Sequence, residues 1–343
     1  MNRKPILFGL GIIAAGIVAG CILQYRNETI NKECTRQLFA MDTVMSFTAY
    51  GKNSEQAVDA AIKEVQRLDD LLSTGNPDSE VSVINTEGSG TLSEDTKEIL
   101  TEAMEIYKDT DGLFDVTIYP LMQLWGFPTQ EYHVPTGLEL QEALAKVDAS
   151  QIVIDGDQVT LGIDQQIDLG GIAKGYTSAR IMEIFREYGI RSGMVSLGGN
   201  VQTLGKKPDG TDWKIGIQNP DGQQGSLLAA LPVENKAVIT SGGYERYFEE
   251  DGNTYIHILN PKTGYPADSG LVSVSIISEN GMLADALSTS LYLMGEEKAA
   301  EYWRAHSDVF DMILEDEEGI LYVTEGISQE IQTDNTTIVL NIN

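Results

Sequence analysis

The sequence predicts an α+β fold in which helices pack on a mostly antiparallel sheet. Segments with helical and with strand periodicity are interspersed along the chain, and hairpin-like turns such as Asp155-Gly156-Asp157 join neighbouring strands. There is no internal repeat at a fixed period and no low-complexity block. These observations indicate a single domain over residues 38–343, preceded by a targeting segment and a tether.

Apolar residues at helical spacing define the helices. In the first, Ala57, Ala61, Val65 and Leu68 recur every three or four positions, and Ser54 stands before them as the cap. The predicted helices cover 54–72, 93–109, 138–147, 174–188, 283–294 and 297–306.

Runs rich in β-branched and aromatic residues, bounded by glycine or proline, define the strands. The first covers 41–50, where polar and apolar residues partly alternate. The segments 213–218, 237–241 and 255–259 are expected to lie in one sheet. The other predicted strands cover 151–154, 158–163, 194–197, 272–278, 310–314, 321–324 and 337–342.

The N-terminus has the organisation of an export signal. Arg3 and Lys4 precede an apolar run over residues 6–19, which is shorter than the roughly 20 residues of a spanning helix. Val18-Ala19-Gly20-Cys21 resembles a bacterial lipobox, so residues 1–20 are predicted to be a signal peptide and Cys21 the lipidated N-terminus, with a tether to residue 37. The alternative is an uncleaved membrane anchor. In both cases the folded part lies on the extracytoplasmic face of the cell membrane.

The charge and the cysteine content restrict the function. A formal charge of -29 argues against binding to nucleic acid, which requires a basic surface. An acidic protein that binds a phosphate ester needs local positive charge, which a metal cation supplies. The chain has two cysteines. If Cys21 is lipidated, only Cys34 remains, and no intrachain disulfide can form.

A glycine-rich segment over residues 167–176 lies between a predicted strand and a predicted helix. Glycines allow backbone N–H groups to approach an anion, and the start of a helix carries unpaired N–H donors. Lys174 adds positive charge, and Asp168 offers an acceptor for a hydroxyl, a ring N–H or a metal-bound water. The alternative interpretation is a strand-to-helix turn with an exposed lysine.

The helix that begins near residue 283 carries oxygen ligands of the kind that Mg²⁺ prefers. Asp285 and Thr289 are four positions apart and share one face, with Ser288 beside them. The alternative is an acidic residue that only interacts favourably with the helix dipole.

His257 is the third candidate group. Of the three histidines, it alone stands where a strand meets a loop rich in glycine and proline, residues 257–266. Such a histidine is either a general base toward a hydroxyl or a hydrogen-bonding partner of the turn.

These segments in this order resemble one known family, the ApbE-type FAD:protein FMN transferases. The motifs that carry the resemblance are Met41-Asp42-Thr43, Ser79-Glu80-Val81-Ser82, Phe114-Asp115-Val116-Thr117, Asp168-Leu169-Gly170-Gly171-Ile172-Ala173-Lys174-Gly175-Tyr176, Ser196-Leu197-Gly198-Gly199-Asn200, His257-Ile258-Leu259-Asn260-Pro261 and Ala284-Asp285-Ala286-Leu287-Ser288-Thr289. The resemblance covers about residues 38–325 and implies an ApbE-like, T-fold-related domain.

The resemblance also implies a reaction and a set of site residues. The reaction is Mg²⁺-dependent transfer of the FMN half of FAD to a threonine or serine hydroxyl of an exported electron-transfer protein, with release of AMP. His257 is implied as the base. The implied FAD contacts are Met41, Gly75, Leu113, Phe114, Asp115, Asp168, Lys174 and Leu259, and the implied metal ligands are the carbonyl of Gly171 with Asp285, Thr289 and, more weakly, Ser288.

Gly75 departs from the family pattern, because many members have an aromatic residue there that packs on the dinucleotide. The absence of this aromatic ring predicts weaker retention of FAD. Two other functions remain open on these motifs: a Mg²⁺-dependent FAD pyrophosphatase, in which water replaces the protein hydroxyl, and a flavin-binding lipoprotein without catalysis.

Overall fold

The computed structural model describes residues 32–220 and 226–342 of the 343-residue chain. The predicted signal peptide, the predicted lipidation site Cys21 and most of the predicted tether lie outside these residues. No helix in the described part is long and apolar enough to span a bilayer. The helices there are Ser54–Leu72 (α1), Glu80–Glu87 (α2), Glu94–Asp109 (α3), Tyr119–Leu124 (α4), Gly137–Leu144 (α5), Ala173–Glu187 (α6), Gly281–Met294 (α7) and Glu296–Ala305 (α8). The strands are Glu33–Ala40 (β1), Thr43–Tyr50 (β2), Ser89–Thr91 (β3), Val153–Asp155 (β4), Gln158–Thr160 (β5), Ser192–Leu197 (β6), Asn200–Leu204 (β7), Trp213–Gln218 (β8), Leu227–Val233 (β9), Ala237–Gly242 (β10), Tyr247–Glu250 (β11), Asn253–Ile256 (β12), Leu271–Ser278 (β13), Phe310–Asp316 (β14), Leu321–Thr324 (β15) and Thr337–Leu340 (β16).

A nine-stranded sheet organises the molecule, in the order β1-β2-β6-β7-β10-β13-β14-β15-β16. Its neighbouring strands pair antiparallel, except β15 and β16, which are parallel. The predicted α+β class with a mostly antiparallel sheet is therefore confirmed.

The two faces of this sheet are covered by different elements, because side chains alternate along each strand. Ile239 of β10 and Ile276 of β13 pack in the cluster that contains the buried residues of α7. Their neighbours Val238 and Ile277 point to the other face, where they pack against Trp213 and other residues of the β8–β9 hairpin. Helices thus cover one face, and a two-stranded hairpin covers the other.

Three predictions about elements are wrong. The tether does not extend to residue 37, since Glu33 to Gln37 pair with β2 from Tyr50 to Ser46. The segments 213–218, 237–241 and 255–259 do not share a sheet: β8 pairs with β9, β10 lies in the large sheet, and β12 pairs with β11. Ser54 is the first residue of α1 and not its cap. The capping position is Asn53, whose side chain makes no capping hydrogen bond.

A small aromatic cluster holds the β11–β12 hairpin in place. We use this name for Trp125, Phe127, Tyr132, Phe248 and Tyr255, whose rings join the α4 region to the β11–β12 hairpin. The rings of Phe248 and Tyr132 stack at 4.6 Å, and those of Phe248 and Tyr255 at 5.1 Å. The hairpin is held by this packing, and its two ends are Arg246 and His257.

Candidate active site

A cavity of about 210 Å³, here called the main cavity, brings most of the predicted site residues together. It lies where α6, α7, the end of β10 and the β11–β12 hairpin meet. The predicted residues that line it are Leu113, Phe114, Asp115, Asp168, Gly171, Lys174, His257, Leu259, Asp285 and Thr289.

Asp285, on the first turns of α7, is the most deeply buried charged group of this cavity, with 4% of the residue exposed. Its Oδ2 accepts a bond of 2.8 Å from the backbone N–H of Gly175, and its Oδ1 accepts one of 2.9 Å from Nδ2 of Asn200. No lysine, arginine or histidine within the described ranges forms an ion pair with it. A buried carboxylate without a countercharge is costly, so the site is suited to a cation.

Gly175 explains how α6 approaches α7 closely enough to reach that carboxylate. A Cβ on Gly175 would lie 2.2 Å from the carbonyl oxygen of Gly281 and 2.7 Å from Cβ of Asp285. Only glycine fits here. The N-terminal donors of α6, which the sequence predicted to face a phosphate, therefore include one that is used by Asp285.

The groups around Asp285 fit Mg²⁺ better than a softer metal. Thr289 lies one turn further along α7 and lines the same cavity, and a Cβ on Gly171 would lie 3.9 Å from its Oγ1. One carboxylate, one hydroxyl and one carbonyl are hard oxygen donors that leave positions for water and phosphate oxygens. Among the described residues, no group of three or more His, Cys, Asp or Glu side chains is placed so that it could hold a metal ion.

Ser288, the fourth predicted ligand, is not brought to the main cavity. Its hydroxyl donates to the carbonyl oxygen of Asp285 at 2.7 Å and lies 2.7 Å from Oγ of Ser241. The side chain therefore links α7 to the end of β10, next to the cavity wall.

Asn200, at the start of β7, orients the Asp285 carboxylate that could hold a metal. Replacing it with alanine is expected to lower the affinity for Mg²⁺ by about 10- to 100-fold, as is typical when the partner of a metal ligand is lost. Calorimetric titration with Mg²⁺ measures this. Asn280→Ala is the matched control, because Asn280 caps α7 through the N–H of Leu283 and does not contact Asp285. Equal affinities in the two variants would contradict the role of Asn200.

Two acidic residues of the main cavity are held by their own loops. Asp115 accepts bonds from the N–H and the hydroxyl of Thr117 and from the N–H of Ala149, so its carboxylate fixes the turn that presents Leu113 and Phe114. Oδ1 of Asp168 accepts the N–H of Gly170 at 2.8 Å. Desolvation raises the pKa of both carboxyls, and these bonds oppose the increase. Oδ2 of Asp168 accepts no hydrogen bond from the described residues and is the acceptor left for a ligand.

Lys174 and Arg246 supply positive charge where the main cavity joins two neighbouring cavities, and both line all three. Lys174 donates to the carbonyl of Gly170 at 3.4 Å, and Arg246 donates to the carbonyl of Phe127 at 2.9 Å. Neither has a carboxylate within 4.0 Å in the described part of the chain. In a protein with a formal charge of -29, these two cations give the cavity the local positive charge that binding of a phosphate ester would need.

His257 faces the main cavity in a defined tautomer. Its Nδ1 lies 3.1 Å from the carbonyl oxygen of Arg246, which has no proton, so Nδ1 carries the proton and Nε2 is left as an acceptor. The ring packs edge-on against Phe127. Desolvation, followed by the charge of Arg246, lowers the pKa of His257 to about 4. The imidazole is therefore neutral near pH 7.

The ApbE family model matches residues 41–314. The chain belongs to the ApbE family. FAD:protein FMN transferase of Vibrio cholerae is 34% identical over 277 residues, 79% of this chain and 82% of that protein. The Salmonella typhimurium protein of the same name is 31% identical over 324 residues, 90% and 92% of the two chains.

Solved ApbE structures have the same fold. The ApbE protein of Thermotoga maritima superposes with a TM-score of 0.82 at 31% identity, covering 87% of this chain and 99% of that one. The flavin transferase ApbE of Vibrio cholerae gives 0.78 at 28% identity, covering 87% and 100%. The predicted ApbE-like domain is therefore confirmed.

Three site residues were missed among the individual candidates from sequence: Asn200, Glu245 and Arg246. From sequence, Asn200 is only the last residue of the family motif Ser196-Leu197-Gly198-Gly199-Asn200. Glu245 is exposed at the rim, but the cavity walls desolvate its carboxyl and, with the charge of Asp285, raise its pKa to about 7. Arg246 had a usable signal, because basic residues are few, 23 against 52 acidic ones, and it directly precedes the hairpin that leads to His257.

Met41 and Gly75 line a cavity of about 480 Å³ that adjoins the main cavity along Asp168 and Lys174. Gly75 leaves room for a side chain, since a Cβ added there would meet only Oγ of Ser73, at 3.7 Å, and its backbone is outside the left-handed region. A side chain at this position could therefore begin at the cavity wall without a clash at its Cβ.

Gly75→Tyr is expected to tighten FAD binding. An aromatic stacking contact contributes about 0.5–1.5 kcal/mol, which lowers the dissociation constant by about 2- to 13-fold. Quenching of flavin fluorescence measures it, with Gly75→Ala as the control that adds a Cβ without a ring. If both variants bind FAD as the wild type does, the missing ring is not what limits retention.

Proposed function

We propose that this chain is an FAD:protein FMN transferase, which moves the FMN half of FAD to a threonine or serine hydroxyl of an exported electron-transfer protein and releases AMP. The observation that carries the proposal is the convergence on one cavity of an unpaired buried carboxylate, a neutral histidine with a free Nε2 and two cations without ion pairs. This combination suits phosphoryl-type transfer, where positioning and charge stabilisation account for most of the catalysis.

The chain's own groups have distinct parts in the transfer. The hydroxyl oxygen of the acceptor forms a bond to the FMN phosphorus, and its proton passes to Nε2 of His257. The bond between that phosphorus and the bridging oxygen of the pyrophosphate breaks, and AMP leaves with the electron pair. Lys174 and Arg246 neutralise the phosphate charge as it shifts to the leaving group.

Mg²⁺ is part of the proposal. Asp285, Thr289 and the carbonyl of Gly171 would hold it, with Asn200 and the N–H of Gly175 orienting the carboxylate. When bound, Mg²⁺ would neutralise the pyrophosphate and stabilise the AMP leaving group.

Intact mass spectrometry tests the transfer. The enzyme is incubated with FAD, Mg²⁺ and an exported electron-transfer flavoprotein produced without its flavin. The expected result is addition of one FMN to the acceptor with an equal amount of AMP, and loss of the reaction with EDTA. Free FMN and AMP with an unmodified acceptor would instead establish a pyrophosphatase, and unchanged FAD would establish a flavin-binding protein without catalysis.

The location is a separate proposal, supported by the sequence of the N-terminus. Residues 1–20 direct export, and a lipid on Cys21 anchors the enzyme to the extracytoplasmic face of the membrane. In cells, the full-length chain is expected in the membrane fraction and Cys21→Ala in the soluble exported fraction. A wild-type chain that is soluble in the cytoplasm would contradict this proposal.

A further inference from the structure

A larger cavity, of about 600 Å³, shares a wall with the main cavity, formed by Lys174, Thr240, Glu245 and Arg246. We call it the β8 groove, because Ile215 to Gln218 of β8 form one of its sides. Of the residues implied as FAD contacts, only Met41 and Lys174 reach it. The groove is therefore open space beside the reacting groups that the FAD contacts do not account for.

The side formed by β8 is the edge of a strand. Ile215, Gly216, Ile217 and Gln218 are consecutive, and consecutive side chains point to opposite faces, so all four border one space only along the strand's edge. Among the strands that the structure describes, β8 pairs with β9 alone. Its other edge is therefore unpaired and lies along the groove.

The hydrogen-bond pattern of β9 shows which backbone groups point into the groove. Ala230 of β9 and Gln332 exchange both N–H···O bonds, at 2.9 and 2.8 Å, so the polar groups of Ala230 point away from β8. Gly216 is the residue opposite Ala230. The two are therefore a non-hydrogen-bonded pair, and the N–H and C=O of Gly216 point to the free edge. Pro232, which has no N–H, lies opposite Lys214 and agrees with this alternation.

The residues of the groove allow another backbone to come close. Gly216 has no side chain, and a glycine inside a strand often marks a place where a second backbone approaches. Ile215 and Ile217 are buried beside it. At another side, the turn of Gly198 and Gly199 has positive φ at both residues and also presents no side chain.

We propose that the acceptor protein binds with an extended segment added as a strand to the free edge of β8, so that its threonine or serine reaches the wall shared with the main cavity. This inference rests on the proposed transferase function, whose second substrate is a protein. An extended peptide supplies the alternating donors and acceptors that an unpaired strand edge lacks, which is the chemistry of β-strand addition. The shared wall contains Lys174 and Arg246, the cations proposed above to neutralise the phosphates.

The test uses two substitutions of Gly216 in the full enzyme. Both add a Cβ that meets the end of the Leu227 side chain, which is flexible and 59% exposed, but only Gly216→Pro removes the N–H that points into the groove. Gly216→Pro is expected to raise the KM for the unflavinylated acceptor about tenfold or more, whereas Gly216→Ala stays within about threefold of wild type. FAD binding, followed by flavin fluorescence, is expected to be unchanged in both variants. An unchanged acceptor KM in Gly216→Pro would overturn the proposal.

Hydrogen exchange on the wild-type enzyme provides a measurement that needs neither a variant nor catalysis. The unflavinylated acceptor, added with EDTA and without FAD, is expected to slow exchange of the Gly216 amide. If the acceptor gives no protection of the Gly216 amide, the proposed strand addition is wrong. It is also wrong if the amide is protected without acceptor in a way that depends on enzyme concentration, because a second copy of the chain then occupies the edge. If the acceptor protects the Gly216 amide but no FMN is transferred in the presence of FAD, Mg²⁺ and acceptor, the docking proposal is supported and the transferase function is wrong.

Discussion

Replacing Asp285 with alanine is expected to reduce FMN transfer by roughly 10³-fold or more. The carboxylate is buried, has no countercharge in the described chain and lies beside Thr289 and Gly171, so its removal takes away the only charged ligand of the proposed Mg²⁺ site. Metal stabilisation of transition-state charge amounts to several kcal/mol, and each 1.36 kcal/mol is tenfold in rate. Steady-state AMP release with saturating FAD and Mg²⁺ measures the loss.

Two further variants keep this prediction informative, because Asp285 also holds the N–H of Gly175 and the side chain of Asn200. Thr289→Val removes a proposed metal ligand without touching those bonds and is expected to reduce turnover about 10- to 100-fold with the thermal midpoint retained. Asp308→Ala, an exposed Asp-to-Ala change away from the cavities, is the matched control. Full turnover of the Asp285→Ala variant with Mg²⁺ would show that the proposed metal site is wrong.

The second large effect is expected at His257. His257→Gln removes the proposed base and is expected to lower kcat by about 10²- to 10⁴-fold, the range for general base catalysis, with little change in FAD binding. Pre-steady-state transfer from FAD to the acceptor measures it. His133→Gln and His306→Gln are matched controls at the other two histidines of the chain, neither of which lines the cavity.

The pH dependence gives a readout that a merely structural histidine would not produce. Desolvation lowers the pKa of His257 from 6.5 to about 4, so the neutral form that accepts a proton persists from high pH down to about pH 4. The wild-type rate is therefore expected to have an acid limb near pH 4 and not near pH 6.5. A limb near pH 7 that survives in His257→Gln would assign the base to Glu245, whose carboxyl pKa is raised to about 7.

The sequence predicted many of the residues that line the main cavity because these residues lie in short segments. The run from Asp168 to Gly175 and the pair Asp285 and Thr289 keep their functional groups within one or two turns of backbone. The local backbone geometry therefore determines most of the relative positions of these functional groups. The ordered set of motifs predicted that these segments meet, and the main cavity contains them together with His257.

Ser288 shows where local geometry was not sufficient. At 3.6 residues per turn, Thr289 is rotated by about 40° from Asp285 around the helix, and Ser288 by about 60° in the opposite direction. The sequence pattern placed Thr289 on the same face as Asp285, with Ser288 beside them. Packing of α7 against the end of β10 turns Ser288 to Ser241 and Thr289 to the cavity.

By itself, the sequence determined the α+β class, most helices and strands, and the residue types that suit a phosphate, a hard metal and a proton. Only the tertiary structure showed that Glu33–Ala40 is an edge strand and that β8 pairs with β9 outside the large sheet. It also showed that Arg246 lines the main cavity together with Lys174. The physical reason is the range of the interactions. Helical periodicity and turn chemistry depend on residues a few positions apart, whereas strand partners and cavity walls depend on which distant surfaces bury each other.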